Sequence, residues 1–270
     1  MSYDVFFKLQ KKELVPDCMT YFSSRPNYKV SDTQAWYENE ATGVYFSFMV
    51  GKDYDIEFNI NYFRPHYFAL EAKEELLAFC MNFPSTIIDP QRESRSKKFD
   101  GEMFLKSWQE NNQLASQVLK SKSTLEEYKL VPTELLTQFW EWNYNIDKLH
   151  SGTLSHRDVF IPKLMLYEEE KHIQLLSLWP EGLPVVLPRN VDIIIARKQW
   201  LRKKLSIIKY QIASRLLEKY EAEESNGKYV VLNYKDMPKD IKNFFKSSYP
   251  TNLNRECFLD RNFVINRELF

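Results

Sequence analysis

The chain has 270 residues, which suffices for one large domain or two of ordinary size. Hydrophobic residues make up 44% of it and aromatic residues 15%, so it can bury a substantial core, and general disorder is excluded. Lys and Arg number 37, as do Asp and Glu, and this formal net charge of zero disfavours a nucleic-acid partner, which usually requires excess positive charge.

The cysteines and the apolar runs bear on the cellular compartment. Cys18, Cys80 and Cys257 are odd in number and far apart, which is typical of free thiols in a reducing compartment. The first eight residues lack the apolar core of a signal peptide, and no apolar run is long enough to cross a bilayer. We therefore expect a cytoplasmic protein with no membrane partner.

The first 90 residues alternate between strand and helix patterns. The clearest strands, Val44–Val50 and Tyr54–Tyr62, alternate apolar and polar residues and are joined by a turn short enough for a hairpin. An apolar stripe from Phe68 to Phe83 predicts a helix that stops at Pro84. The remaining predicted elements are a strand at 3–9, a short helix after Pro16, an extended segment at 28–37 and a strand at 86–88. This order predicts a ferredoxin-like antiparallel sheet with helices over residues 1–90.

A charged stretch divides the sequence. Residues 91–103 are polar and mostly charged, which predicts a linker. Beyond it, residues 104–270 are expected to form a second α+β subdomain. The helices predicted there lie at 103–120, 133–149, 201–224 (the longest) and 238–247. The predicted strands are a hairpin of 160–167 with 172–179, followed by strands at 191–196, 229–234 and 263–267. The fold class is therefore α+β throughout.

Known catalytic, cofactor and metal motifs are missing from the sequence. Potential catalytic residue types are densest in His150–Asp158, where His156 could act as a base and Ser151 as a nucleophile. Neighbours in sequence seldom form such a site, because the side chains must converge from separate elements, so a polar loop is the simpler interpretation. We accordingly predict no catalytic residues, no cofactor and no metal.

Two kinds of surface are candidates for binding a protein partner. Trp140 and Tyr144 lie at the edge of an apolar helix stripe, where large aromatics serve as interface anchors or cover a core. Acidic residues crowd the second hairpin tip (Glu168, Glu169, Glu170) and the end of the long predicted helix (Glu218, Glu221, Glu223, Glu224). Basic residues from Arg197 to Lys209 lie at the start of that predicted helix. Positive charge at a helix start and negative charge at its end both oppose the macrodipole, which costs stability. Selection for binding a basic partner would explain why the acidic residues are kept despite this cost.

Four segments resemble a group of bacterial proteins. The segments are Asp4–Phe7, Thr42–Phe48, Asn61–Ala72 and Leu183–Arg189. They are similar to immunity proteins of type VI secretion and Rhs-type polymorphic toxin systems. The resemblance implies a cytosolic protein that binds a cognate toxin effector, whose active-site groove could be basic, and blocks its active site. The alternatives are an uncharacterised hydrolase acting around His156 and an adaptor protein of a secretion system.

Overall fold

The computed structural model describes residues 1–120, 127–199, 202–251 and 253–270. In these ranges the chain is a mixed α and β protein, as predicted. Its α-helices are α1 (Val15–Ser23), α2 (Tyr67–Asn82), α3 (Gly101–Lys120), α4 (Thr133–Ser151), α5 (Tyr210–Lys219) and α6 (Lys239–Ser247). Its β-strands are β1 (Ser2–Leu9), β2 (Tyr28–Val30), β3 (Gln34–Glu38), β4 (Tyr45–Val50), β5 (Ile56–Asn61), β6 (Ser85–Asp89), β7 (Ser94–Ser96), β8 (Lys129–Val131), β9 (Met165–Glu169), β10 (His172–Pro180), β11 (Val185–Pro188), β12 (Asp192–Gln199), β13 (Arg202–Ile208), β14 (Tyr229–Leu232) and β15 (Val264–Asn266).

The chain forms two compact units. Unit 1 comprises residues 1–136 and 261–270, and unit 2 comprises residues 137–260. The boundary therefore falls within α4, whereas the sequence predicts a linker at 91–103. Those residues lie inside unit 1, where β7 pairs with β6 at Ile87 opposite Ser96, and α3 begins at Gly101. A short, charged strand at a sheet edge needs few apolar residues, so its sequence resembles that of a linker.

Unit 1 is built on a seven-stranded antiparallel sheet. Its strand order is β2-β3-β4-β5-β1-β6-β7, so that β1 lies between β5 and β6. The two clearest predicted strands pair as an antiparallel hairpin, as predicted, with Phe48 opposite Phe58. The ferredoxin-like arrangement of residues 1–90 stays a prediction.

Helices α1, α2 and α3 cover the inner face of this sheet with aromatic rings. Phe22 of α1 lies 4.6 Å from the ring of Phe48, and Phe79 of α2 lies 5.0 Å from that of Phe7. Phe104 of α3 lies 5.5 Å from Tyr3. These rings are almost completely buried, and burying each one contributes about 1.5–3 kcal/mol. The high aromatic content of the sequence thus forms the core of unit 1.

Unit 2 contains a four-stranded sheet in the order β13-β12-β10-β9 and a two-stranded antiparallel sheet of β11 and β14. Strands β10 and β12 are parallel, and the other pairs of the four-stranded sheet are antiparallel. Helices α5 and α6 pack against these strands through Leu217 and Phe245, which are fully buried beside Trp179.

The prediction of a long helix at 201–224 is wrong. Leu201 lies outside the described residues, Arg202–Ile208 forms strand β13, and the helix α5 covers only Tyr210–Lys219. Every residue of β13 pairs with β12, and Leu205 and Ile207 pack into a cluster beneath the sheet while Ile208 packs on the opposite side. Because apolar residues at 205, 208 and 212 also fit a helical spacing, periodicity alone did not separate strand from helix.

None of the described helices is long and apolar enough to cross a membrane.

Candidate protein-binding face

The side of the seven-stranded sheet opposite the helices carries a second set of side chains. Along each strand they alternate with the buried inner residues, and most of them are partly exposed. We call this surface the outer face and define it by Asp4, Phe6, Trp36, Tyr45, Met49, Glu57, Asn59 and Ile88. Register places these residues in rows across the strands, with Trp36 opposite Ser47, Ser47 opposite Asn59, and Asn59 opposite Asp4.

A stacked aromatic pair stands on strands β3 and β4. The rings of Trp36 and Tyr45 are 5.6 Å apart and inclined by 18°, and Trp36 is 36% exposed. Arg64 and the start of α2 hold Tyr45 at the end of the strand. Arg64 Nε donates to the Tyr45 hydroxyl at 3.0 Å, its guanidinium lies 5.3 Å from the Tyr45 ring, and the ring of Phe68 in α2 lies 5.6 Å from that ring. A rigid aromatic pair of this kind loses little conformational entropy when a partner covers it.

A second apolar group lies in the next row of the outer face. Phe6 stacks on Tyr54 with ring centroids 4.7 Å apart and an inclination of 13°. Across the sheet, Glu57 is opposite both Met49 and Phe6, and Phe6 is opposite Ile88. Aromatic residues and Met are enriched in protein interfaces relative to other protein surfaces, so this row has the composition of a binding surface.

Two carboxylates lie between these apolar groups. Asp4 accepts hydrogen bonds from Asn59 Nδ2 at 2.5 Å and from Ser2 Oγ at 3.2 Å, and both donors are neutral. Glu57 stands in the neighbouring row. Within the described parts of the chain, neither carboxylate forms an ion pair, whereas Glu38 at the sheet edge pairs with Lys29 at 2.9 Å. Both carboxylates are therefore available to a basic partner, while strand register also places Lys8 and Arg95 on this side of the sheet.

The predicted acidic tip is present at the turn of the β9–β10 hairpin. Glu169 pairs with His172, so Glu170 and Lys171 form a two-residue turn. Glu169 and Glu170 are exposed, and Glu168 is half-buried. Glu170 and Lys171 have φ angles of 49° and 66°, a left-handed backbone that favours Asn and Gly in such turns.

The second predicted acidic cluster, Glu218 to Glu224, does not lie at the end of a long helix. Helix α5 ends at Lys219, so Glu221, Glu223 and Glu224 follow the helix and do not oppose its dipole. Glu221 pairs with Arg189, and Glu224 pairs with Arg157 and His156. The Arg157 guanidinium, together with a backbone hydrogen bond and His156, lowers the pKa of Glu224 to about 2. Glu218 and Glu223 are exposed.

Trp140 and Tyr144 stack along α4 and are both half-buried. Their ring centroids are 5.3 Å apart, and Lys148 Nζ lies 4.9 Å from the centroid of Tyr144. The other side of the helix is fixed in unit 2, because Trp142 Nε1 donates to the Pro162 carbonyl at 2.7 Å and Asn143 bonds to both backbone groups of Leu164. Trp140 and Tyr144 therefore lie beside the buried stripe, as predicted.

The predicted alternative site around His156 does not assemble as a nucleophile and base. The Ser151 hydroxyl donates to the Asp147 carbonyl at 2.8 Å, and His156 Nε2 lies 3.0 Å from Glu224. Among the described residues, no hydrogen bond joins Ser151, His156 and Asp158 to one another. No group of three or more His, Cys, Asp or Glu residues in the described ranges has the geometry to hold a metal ion.

Sequence reasoning missed the outer face. A signal was available, because Trp36 and Tyr45 occupy positions that alternate with buried residues and would be polar on a solvated sheet face. The sequence alone could not show that β3 and β4 pair so as to bring these two rings together.

Comparison with models of known protein families, with characterised proteins and with solved structures finds no match to this chain. The function must therefore be inferred from the chain's own residues.

Proposed function

We propose that this chain is a cytoplasmic immunity protein that binds a cognate bacterial toxin effector and occludes its active site. The observation that carries the proposal is the outer face, a wide sheet surface that presents two stacked aromatic pairs around two carboxylates. The resemblance of the four sequence segments to immunity proteins supports the same conclusion.

The outer face suits an inhibitor because it is formed before the partner arrives. The sheet is held from behind by a packed aromatic core, so binding orders few groups and retains more of the interaction free energy. Trp36 and Tyr45 would supply the central contacts, since Trp and Tyr dominate binding hot spots. Asp4 and Glu57 would pair with Lys or Arg around the toxin's active site, and opposite charge also speeds association.

The acidic tip and the stacked pair of α4 are further contacts in this proposal. Glu169 and Glu170 would attract a basic surface, and Trp140 with Tyr144 would provide an apolar anchor. Glu221 and Glu224 contribute less, because each is already neutralised by an arginine of its own chain.

The test uses the protein encoded directly upstream of this chain, expressed in bacterial cells with and without the chain. We expect growth to be rescued by the wild type, and the purified proteins to form a complex measurable by calorimetry. The double variant Trp36→Ala/Tyr45→Ala should weaken the complex by about 100-fold or more, since each hot-spot side chain contributes about 2 kcal/mol or more. The matched control is Tyr249→Ala, which removes an aromatic ring that is 88% exposed on unit 2.

Three results would contradict the proposal. Equal affinity of the double variant and the wild type would remove the outer face from the interface. A tight complex that leaves the growth defect unchanged would indicate an adaptor protein in place of an inhibitor. Loss of protection by a correctly folded His156→Ala variant would favour the hydrolase.

A further inference from the structure

Unit 1 contains a cavity between β1, β6 and the start of α3. Its volume is about 170 Å³, and Val5, Phe99 and Phe104 form its apolar wall. Pockets for drug-sized ligands hold about 300–1,000 Å³, so this cavity fits only a small molecule. Five of the residues that line it, Arg92, Ser96, Lys98, Phe99 and Asp100, belong to the charged stretch 91–103 that the sequence predicts to be a linker.

A buried carboxylate lines the cavity. Asp89 is 7% exposed and accepts a hydrogen bond from the Tyr3 hydroxyl. Burial, followed by this hydrogen bond, raises the pKa of Tyr3, so Tyr3 remains a neutral donor. With the Gln91 amide oriented to satisfy its hydrogen bonds, its nitrogen donates to Asp89 Oδ1 at 3.0 Å. Both partners are neutral, and within the described residues Asp89 has no ion pair. A buried carboxylate that no cation contacts directly is costly, so the site favours a cationic ligand group next to Asp89.

The mouth of the cavity has the opposite charge. Arg92 and Lys98 line it and are exposed. A turn holds Lys98 in place, because its backbone N–H donates to Ser96 Oγ at 3.1 Å while that hydroxyl donates to the Lys98 carbonyl at 2.9 Å. Asp100 also lines the cavity, but its Oδ1 accepts from the Met103 N–H at 3.0 Å and caps α3.

We propose that this cavity binds a small zwitterion, namely an amino acid with a short apolar side chain. Its ammonium group pairs with Asp89 inside the cavity, and its carboxylate pairs with Arg92 and Lys98 at the mouth. Its side chain packs against Val5, Phe99 and Phe104. Because a negative charge lies inside the cavity and positive charges lie at its mouth, the ligand needs both an ammonium group and a carboxylate. A simple anion would leave Asp89 without a cationic partner. This site is separate from the outer face and does not depend on the proposed immunity function.

The test is calorimetric titration of the full chain with L-leucine and two analogues that each lack one charge. 3-Methylbutylamine lacks the carboxylate, and 4-methylpentanoate lacks the ammonium group. We expect L-leucine to bind, and each analogue to bind at least about tenfold more weakly, because a hydrogen bond to a charged group contributes about 1.5–3 kcal/mol. No binding of L-leucine, or equal binding of either analogue, would overturn the proposal.

Two variants test whether the ligand binds in this cavity. Asp89→Asn keeps one acceptor oxygen, which can serve Tyr3 or Gln91, and removes the charge. It should weaken the binding of L-leucine about tenfold or more while leaving the binding of 4-methylpentanoate unchanged. Val5→Ile adds a methyl group to the cavity and should reduce ligand affinity while leaving the fold at least as stable, because the added atoms fill empty space. It therefore tests the site even if Asp89→Asn fails to fold.

The control variants change charge without touching the cavity. Asp32→Asn removes an exposed carboxylate, and Arg95→Gln removes a cation of β7 that does not line the cavity. Both should bind L-leucine with wild-type affinity. A loss of affinity in these variants equal to that of Asp89→Asn would mean that the ligand responds to net charge, and the cavity would then be rejected as the site.

Discussion

Glu71 is a fully buried carboxylate on α2 whose partners come from the β-sheet side of unit 1. Its Oε1 accepts from the Tyr37 hydroxyl at 2.6 Å and from Asn39 Nδ2 at 2.7 Å. Glu71→Ala would leave both buried donors without this acceptor, so we expect the free energy of unfolding in urea to fall by about 3 kcal/mol or more. Glu71→Gln keeps one acceptor and should cost less. The exposed neighbour Glu74 is the control, and Glu74→Ala should change stability by no more than about 0.5 kcal/mol.

The Glu224 ion pair predicts a dependence of stability on pH. In the folded state the pKa of Glu224 is lowered from its ordinary value of 4.5 to about 2, so folding favours the ionised carboxylate. Its contribution is therefore fully present above about pH 4.5 and is lost as pH falls toward 2. We expect the wild type to be more stable than Glu224→Gln at pH 6, with a gap that narrows from pH 4.5 to pH 3 in urea titrations. A gap that stays constant over this range would contradict the low pKa.

At the scale of elements, the β9–β10 turn stores backbone strain. Glu170 and Lys171 both adopt left-handed φ angles, which cost about 1 kcal/mol or more for residues that have a Cβ atom. Replacing them with Asn-Gly should raise the free energy of unfolding by about 1–2 kcal/mol. The control Glu170→Ala/Lys171→Ala should give no such gain, because Ala has the same steric cost. An equal gain from both pairs would mean that charge repulsion, and not backbone strain, limits the turn.

The elements that sequence predicted well are those whose patterns exclude the alternative. Strand β5 alternates strictly from Ile56 to Asn61, and this pattern cannot form a helix with one apolar side. Residues 202–208 are different, because their apolar spacing fits a helix, while their strand conformation depends on pairing with β12, about ten residues earlier in sequence. In this segment the pairing with a neighbouring strand decides the secondary structure, and the local sequence preference does not.

The candidate sites show the same limit. The acidic tip depends on a local hairpin, and the sequence located it correctly between two strands. The outer face depends on strand register, and the cavity depends on Asp89, Arg92 and Phe104 meeting from separate elements. Neither can be read from a window of neighbouring residues, and the charge of residues 91–103 suggested a solvated linker instead.

At the scale of the whole molecule, the chain leaves unit 1 within α4 and returns to it for the last ten residues. Strand β15 pairs in parallel with β8, and its Val264 and Ile265 are buried. Asn266 links distant parts of unit 1, since its Oδ1 accepts from the His66 N–H at 2.8 Å and its Nδ2 donates to Thr133 Oγ1 at 2.7 Å. Residues 261–270, the closing segment, therefore belong to the structure of unit 1 and supply the only strand that pairs with β8 in the described residues.

Truncation after Asp260 tests this role. Without β15, strand β8 loses its partner, and the backbone N–H of His66 loses its acceptor. We expect amide hydrogen exchange to accelerate at residues 62–68 and 129–131, while peptides from β11 and β14 in unit 2 keep their protection, because local opening follows the contacts that are removed. Arg267→Ala changes an exposed side chain in the same segment and should leave exchange unchanged. Equal loss of protection in β11 and β14 would show that the closing segment stabilises the whole chain and not unit 1 in particular.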